Sequence, residues 1–172
     1  MKKPKLTTDS FIQSYAEKAG LNRIKKTTGK KRIYYLCGAY TNDPHAHLKF
    51  ALAEEILRRE GHFPYNPTKR CPANMPWHEA IVSCLGVLND LGELYRASLT
   101  FLGSGLDLPL PALMLIDPEG REIESVGVKL EKGIALANGL PIVAMGGTAN
   151  WKETLENAIE ELANVYTKGG EA

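Results

Sequence analysis

The chain has 172 residues, of which 44% are hydrophobic and 24% are charged, so it is long and apolar enough to fold around a substantial core. Its 21 basic and 20 acidic residues leave a net charge of +1, which gives no electrostatic reason to expect polymeric nucleic acid or a membrane surface as partner. A small-molecule partner is expected instead.

The cysteines and histidines also narrow the class of protein. Cys37, Cys71 and Cys84 are odd in number and widely spaced, with no C-x-x-C pair, and the four histidines lack the spacing of a metal-ligand set. We therefore expect no disulfide framework, no metal and no cofactor. No apolar run approaches the ~20 residues of a membrane helix, and no signal-like apolar stretch follows the basic N-terminus, which favours a cytoplasmic protein.

The first thirty residues are predicted to be a helical extension followed by a basic linker. A short helix is expected over residues 9–19, with Thr8 or Asp9 as its N-cap and Gly20 at its end. Residues 25–31 are rich in lysine and are interpreted as a solvated linker. The main domain is therefore predicted to span residues 31–172.

Strands and helices alternate along that main domain. The predicted strands cover residues 32–37, 62–65, 112–116 and 141–145, and the predicted helices cover residues 42–60, 77–95, 126–138 and 150–166. Residues 99–111 are interpreted as an irregular insertion. This alternation predicts an α/β fold with a mainly parallel sheet and helices on both faces. Because such sheets bind ligands at the carboxyl ends of their strands, the site is expected there.

The predicted helix over residues 126–138 carries the most informative acid, Glu131. Its helical neighbours at three and four residues are small or apolar, so none supplies a countercharge. Burying an unpaired carboxylate is costly, and an acid in such a place usually has a function. Gly127 leaves space one turn earlier, and Ser125 at the helix N-terminus suits an anion such as a phosphate. On the pattern alone, a partly exposed helix glutamate is an equal alternative.

Several motifs resemble the nucleoside 2-deoxyribosyltransferase superfamily, which includes the deoxynucleoside 5′-monophosphate N-glycosidases. The resemblance covers about residues 32–145, and its motifs are Ser125-x-Gly127-x-x-x-Glu131, Gly133-x-Ala135, Gly139-x-Pro141-Ile142 and Tyr35-Leu36-Cys37-Gly38-Ala39. It implies a flavodoxin-like or Rossmann-like sheet and a double displacement, in which Glu131 attacks the anomeric carbon and water or a second base resolves the ester. It also implies that Tyr35 orients the glutamate.

The resemblance further bears on substrate and on the departing base. Relatives that act on 5′-nucleotides tend to carry serine where this chain has Ser125, whereas those that act on free nucleosides tend to carry aspartate. The family aspartate that engages the base is expected near Cys84 or Leu85, where this chain has no acid. Asp90, in a run that resembles the family's Asn-Asp-Leu, is the catalytic candidate for that role; a simple surface acid is the alternative.

Further substrate-binding candidates lie after the predicted strands. They are Gly38, Tyr40 and Asn66, and the Asn66-Pro67 pair and Trp77 are candidates for lining a base pocket, with turn and core roles as equal alternatives. Relatives often complete their pockets with a neighbouring subunit, and the N-terminal helix has Phe11, Ile12 and Tyr15 to bury. We therefore expect a homodimer or a larger homo-oligomer.

The predicted function is cleavage or exchange of the N-glycosidic bond of a (deoxy)nucleoside 5′-monophosphate. One alternative is a nucleoside 2-deoxyribosyltransferase that acts on free nucleosides. The other is a non-catalytic nucleotide sensor, which is favoured by the lack of an acid at the expected position of the base-engaging aspartate. The base, the sugar and the acceptor are left open.

Overall fold

A computed structural model describes residues 7–41, 43–71, 74–106, 108–117, 125–146 and 150–170, with side chains as far as residue 166. The strands are β1 (Arg32–Cys37), β2 (Phe63–Tyr65), β3 (Leu110–Leu115) and β4 (Ile142–Ala144). The helices are α1 (Thr8–Lys18), α2 (Ala46–Arg59), α3 (Pro67–Arg70), α4 (Trp77–Thr100), α5 (Val126–Ala137) and α6 (Trp151–Gly170), and a 3₁₀ turn follows α1 at Leu21–Arg23.

The four strands form one sheet in the order β2-β1-β3-β4, and every neighbouring pair is parallel. The register aligns Tyr35 with Tyr65 on one side and with Leu113 on the other. The α/β fold class predicted from the alternation of strands and helices is therefore confirmed. Because all strands run the same way, their carboxyl ends share one edge of the sheet.

Alternate residues of β1 and β3 serve two hydrophobic cores, one on each face of the sheet. Leu36 and Met114 point to the core that α1, α2 and α6 cover. Tyr35 and Leu113 point to the opposite core, which α4 and α5 cover. The prediction of helices on both faces is therefore correct, and the face on which a β1 side chain lies decides which helices it meets.

The N-terminal helix packs into the first of these cores. Phe11, Ile12 and Tyr15 are buried within the chain, and the Tyr15 hydroxyl donates a hydrogen bond to the backbone oxygen of Thr154 at 3.0 Å. A boundary near Lys31 thus does not separate two packing units. These three side chains also give no reason to expect a second subunit, and the homo-oligomer stays a prediction from the resemblance.

Several element boundaries differ from those predicted. The N-cap of α1 is Thr7, which exchanges hydrogen bonds with Ser10, and Gly20 ends the segment in a left-handed conformation as expected. Helix α2 begins at Ala46, because the Asp43 side chain accepts from the backbone amide of His45 in the preceding turn. Asn42, the first residue of the predicted helix, lies outside the described residues.

Helix α4 is longer than the sequence suggested and includes Leu99 and Thr100, which were assigned to an insertion. The helix ends before Gly103 and Gly105, both of which adopt positive φ angles. Strand β3 then starts at Leu110, so both ends of the segment interpreted as an insertion belong to regular elements. Among the described helices, none combines the length and apolarity that crossing a bilayer requires.

Candidate active site

The central feature of the site is a contact between β1 and α5. The inward stripe of α5 consists of Val128, Glu131 and Ala135, so the helix buries one carboxylate against the sheet. Tyr35 is fully buried on the facing side of β1, and its hydroxyl donates a 2.8 Å hydrogen bond to Oε1 of Glu131. The structure thus brings together the two residues that the sequence predicted as nucleophile and orienting group.

The environment of Glu131 favours its neutral form. The side chain is 8% exposed, and burial raises the pKa of its carboxyl from an ordinary 4.5 to about 7, even though hydrogen bonds from Cys37 and Tyr35 act in the opposite direction. Both protonation states are therefore populated near neutral pH. Burial, and then the nearby Glu131 carboxylate, raise the pKa of Tyr35, so its hydroxyl stays protonated and remains a donor. Tyr65 stacks on the Tyr35 ring, with centroids 5.5 Å apart, and limits its motion.

Glu131 lines a cavity of about 320 Å³ at the carboxyl edge of the sheet. This volume lies at the lower end of the range for small-molecule sites. The wall comes from the loop after β1, from α3, from the first two turns of α4 and from the start of α5. Its lining residues are Gly38, Tyr40, Thr41, Phe50, Pro67, Thr68, Cys71, Met75, Trp77, Ala80, Ile81, Cys84, Ser125, Gly127, Val128 and Glu131.

The two predicted glycines line the cavity for different physical reasons. A Cβ atom on Gly38 would lie 2.7 Å from Cγ1 of the buried Ile116, so the close approach of β1 to that side chain requires glycine. A Cβ atom on Gly127 would meet Ile81 and Ser125 only at 3.8 Å, an ordinary van der Waals distance. Gly127 is therefore not required by packing, which is consistent with a role in leaving room for a ligand.

Ser125 is the N-cap of α5 and lines the same cavity. Its Oγ accepts a hydrogen bond from the backbone amide of Val128 at 3.3 Å, as an N-cap side chain normally does. Because a hydroxyl can accept and donate at the same time, this bond leaves the proton of Ser125 able to bind a ligand. The cavity is thus bordered by a polar helix N-terminus on one side and by the Glu131 carboxylate on another.

The structure separates the remaining predicted site residues. Tyr40 lines the cavity, and its hydroxyl shares a 2.9 Å hydrogen bond with Nε2 of His47. Asn66 is buried outside the lining, where it caps α3 through the amide of Thr68 at 3.0 Å and donates to Oε2 of Glu54 at 2.9 Å. Asn66 therefore has a structural role, whereas its neighbour Pro67 does line the cavity.

Asp90 does not belong to the cavity. It is exposed on α4, six residues beyond the lining residue Cys84. Six residues correspond to about 9 Å along a helix axis and to a rotation of about 240° away from the face of Cys84. The structure therefore gives no support to Asp90 as the residue that assists departure of a base.

Trp77, a candidate for lining a base pocket, does line the cavity, but the wall that follows it was not recognised in the sequence. Ala80, Ile81 and Cys84 follow Trp77 at helical spacing, a pattern that also describes an ordinary core stripe. The stripe enters the core at Cys84 and Leu88, whereas Trp77, Ala80 and Ile81 line the cavity together with Cys84. The signal was present as a periodicity, but periodicity does not distinguish a core wall from a cavity wall.

Fold and site together define a parallel α/β protein with a buried glutamate–tyrosine pair in a mainly apolar cavity at the carboxyl edge of its sheet. Within the described part of the chain, no group of three or more histidine, cysteine or acidic side chains is arranged to hold a metal ion. Comparisons with protein-family models, with curated proteins and with solved structures found no match to this chain. The residues of the site alone therefore carry the functional argument.

Proposed function

We propose that this chain cleaves the N-glycosidic bond of a nucleoside 5′-monophosphate, with Glu131 as the nucleophile. The observation that carries the proposal is the Glu131–Tyr35 pair, a buried carboxylate held by a 2.8 Å hydrogen bond in the wall of a ligand-sized cavity. A carboxylate with a pKa raised to about 7 is costly to keep in a folded protein, and perturbed acids concentrate at functional sites.

The reaction follows from the chemistry of a carboxylate. One oxygen of Glu131 forms a bond to the anomeric carbon while the bond from that carbon to the base nitrogen breaks, and the base leaves with the electron pair and takes up a proton. Water then attacks the glycosyl ester, which releases the sugar 5-phosphate and restores the carboxylate. Tyr35 is a positioning residue, because its hydroxyl fixes the carboxylate through Oε1.

The start of α5 supports a nucleotide rather than a nucleoside. The amides of the first helical turn and the Ser125 hydroxyl border the cavity, and a helix N-terminus favours an anion through its dipole and its unpaired N–H groups. An aspartate at this position would instead repel phosphate. The apolar wall formed by Met75, Trp77 and Ile81 suits the planar base.

The direct test is incubation of the protein with deoxynucleoside and ribonucleoside 5′-monophosphates, followed by chromatography for free base. We expect base release by the wild type and a loss of several orders of magnitude for Glu131→Gln. Glu156→Gln is the matched control, because it makes the same substitution at an exposed site on α6. Acid-quenched wild type should also carry the mass of a glycosyl ester on a peptide that contains Glu131. Normal turnover by Glu131→Gln would refute the proposal.

Phosphate recognition is tested separately by the ratio of kcat/KM for a nucleotide and for its dephosphorylated partner. A hydrogen bond to a charged group contributes about 1.5–3 kcal/mol, so the nucleotide should be preferred roughly tenfold or more. Ser125→Asp should narrow or reverse this preference, whereas Ser125→Thr, which keeps the hydroxyl, should retain most of it. A wild-type preference for the free nucleoside would favour the base-exchange transferase instead.

One observation favours a second candidate, a nucleotide sensor without turnover. Among the described residues that line the cavity, Glu131 is the sole carboxylate, so none of them is a second acid able to protonate the departing base. A sensor would bind nucleoside monophosphates in calorimetry while releasing no base. It would also retain that binding in Glu131→Gln.

A further inference from the structure

The three cysteines of the chain, far apart in sequence, converge on the candidate site. The thiol of Cys37 hydrogen-bonds with Glu131, whereas Cys71 and Cys84 both line the cavity. All three are thiols in the structure. Spacing alone gave no reason to pair any two of them, so this convergence is a product of the fold.

Cys71 packs against the hydrophobic cluster that contains Cys84, and both residues line the same cavity. Besides burial, a hydrogen bond with Cys71 is among the causes that raise the pKa of the Cys84 thiol, which is consistent with two neighbouring sulfurs. The sulfur of Cys71 also lies 4.0 Å from the backbone oxygen of Ala80, one helical turn before Cys84. Cys71 is the C-cap of the four-residue helix α3, so it sits in a connection next to α4 rather than inside a second rigid helix. A disulfide requires two sulfurs that reach each other without a large backbone movement, and the position of Cys71 beside the helical turn that carries Ala80 and Cys84 favours this.

We infer that Cys71 and Cys84 are a modification site, at which a reversible disulfide forms when the protein meets a small oxidant of the disulfide or peroxide class. With glutathione disulfide, the half-buried Cys71 attacks first and displaces one glutathione, which gives a mixed disulfide. The Cys84 thiolate then attacks the Cys71 sulfur and expels the second glutathione. Two protein thiols and one glutathione disulfide thus become one protein disulfide and two molecules of reduced glutathione.

The second step should be the slow one. Cys84 is 8% exposed, and burial raises the pKa of its thiol to about 12, so little thiolate is present at neutral pH. The rate of cross-linking should therefore increase about tenfold for each pH unit in the range between 7 and 9. The bond would lie beside Tyr35, which contacts the Cys84 sulfur, so oxidation would alter the cavity wall next to the glutamate–tyrosine pair.

Peptide mapping of the oxidised full-length protein tests the inference without measuring base release. Reduced protein is treated with glutathione disulfide, denatured, alkylated and digested without reductant. We expect the number of alkylated thiols to fall from three to one, with Cys37 still alkylated and with a peptide that joins Cys71 to Cys84. Dithiothreitol should restore all three thiols. Cys71→Ser should abolish the intramolecular cross-link, whereas Ser83→Ala, an exposed change beside Cys84, should leave it intact.

Three results would overturn the inference: three alkylated thiols after prolonged oxidation at pH 9, a stable mixed disulfide with glutathione on Cys71, or a cross-link that involves Cys37 or a second chain. Because the mapping is done on wild-type protein, a variant that fails to fold does not affect the outcome. A protein that forms this disulfide but releases no base would refute the proposed function and leave the thiol site standing.

Discussion

The burial of Glu131 predicts that this residue lowers the stability of the folded chain as the pH rises. The pKa of its carboxyl is about 7 in the folded protein and near 4.5 when the side chain is solvated. Between these values the folded state keeps a proton that the unfolded state releases, so the free energy of unfolding decreases as pH increases through this window. As the pH passes through 7 the destabilisation approaches its full value, and well above pH 7 it no longer grows.

Replacement by glutamine removes this effect, because the amide resembles the protonated carboxyl and does not titrate. From the two pKa values, the free energy of unfolding of Glu131→Gln should exceed that of the wild type by about 1 kcal/mol at pH 5 and by about 3 kcal/mol at pH 8. For a chain of this length, the larger value corresponds to a difference in Tm of roughly 5–10 °C. Any constant effect of the amide on packing cancels, since the prediction concerns the change with pH.

The assay is thermal or urea unfolding of both proteins at several pH values from 5 to 8, with Glu156→Gln as the control for removal of one exposed charge. A stability difference between Glu131→Gln and the wild type that does not change with pH would refute the reasoning. A difference that shrinks as pH rises would also do so, because it would mean that the folded protein stabilises the charged carboxylate.

Three further predictions follow from the same contacts. Tyr35→Phe removes a hydrogen bond that lowers the pKa of Glu131. The rising limb of the pH–kcat/KM profile should therefore shift upward from near 7 by roughly 1–2 pH units. A limb that does not shift would mean that Tyr35 does not act through Glu131. Gly38→Ala should lower the free energy of unfolding by about 1–3 kcal/mol, because the added Cβ collides with Ile116. Gly127→Ala should raise the free energy of unfolding by up to about 1 kcal/mol while slowing base release. Urea unfolding measures both, and an equal effect of the two substitutions would mean that the close approach of Gly38 to Ile116 is unimportant. Asp90→Asn should change the rate of base release by less than about twofold, since the side chain is exposed and lies outside the cavity lining. A loss comparable to that of Glu131→Gln in the same chromatographic assay would mean that Asp90 takes part in the reaction.

The sequence predicted the features of this fold that depend on local pattern. The alternation of β-branched strands with amphipathic helices was enough for the parallel sheet. The apolar neighbours of Glu131 indicated a buried carboxylate but left a partly exposed one as an equal alternative, and the structure shows it buried on the inward side of α5. The Tyr35–Glu131 contact joins residues 96 positions apart, and it was expected only because a resemblance placed both residues at one site. A local sequence pattern indicates on which face of a helix or strand a side chain lies, but it does not indicate which distant residue that side chain contacts.

The differences between the sequence interpretation and the structure also have physical causes. Asp90 was assigned by a short run of similar residues, but a helix turns by 100° per residue, so six positions beyond Cys84 lie on a different face. Asn66 follows β2 at the carboxyl edge of the sheet, but its side chain hydrogen-bonds within the protein. Its oxygen caps α3, and its amide nitrogen donates to Glu54. The N-terminal helix looked separate because its basic linker is polar, whereas its apolar stripe is buried against α2 and α6. In each case, tertiary packing bears on alternatives that the sequence pattern leaves open.

The partial protonation of Glu131 has a further consequence if the proposed function is correct. A nucleotide brings a dianionic phosphate to the start of α5, and an ionised carboxylate in the same small cavity would oppose its entry. With a pKa of about 7, much of the resting protein holds Glu131 neutral, so the substrate meets little opposing charge. As positive charge then develops at the anomeric carbon, the ionised carboxylate becomes the favoured form at the point where it must attack. The burial that weakens the fold above pH 5 would thus serve both substrate entry and bond cleavage at a single residue.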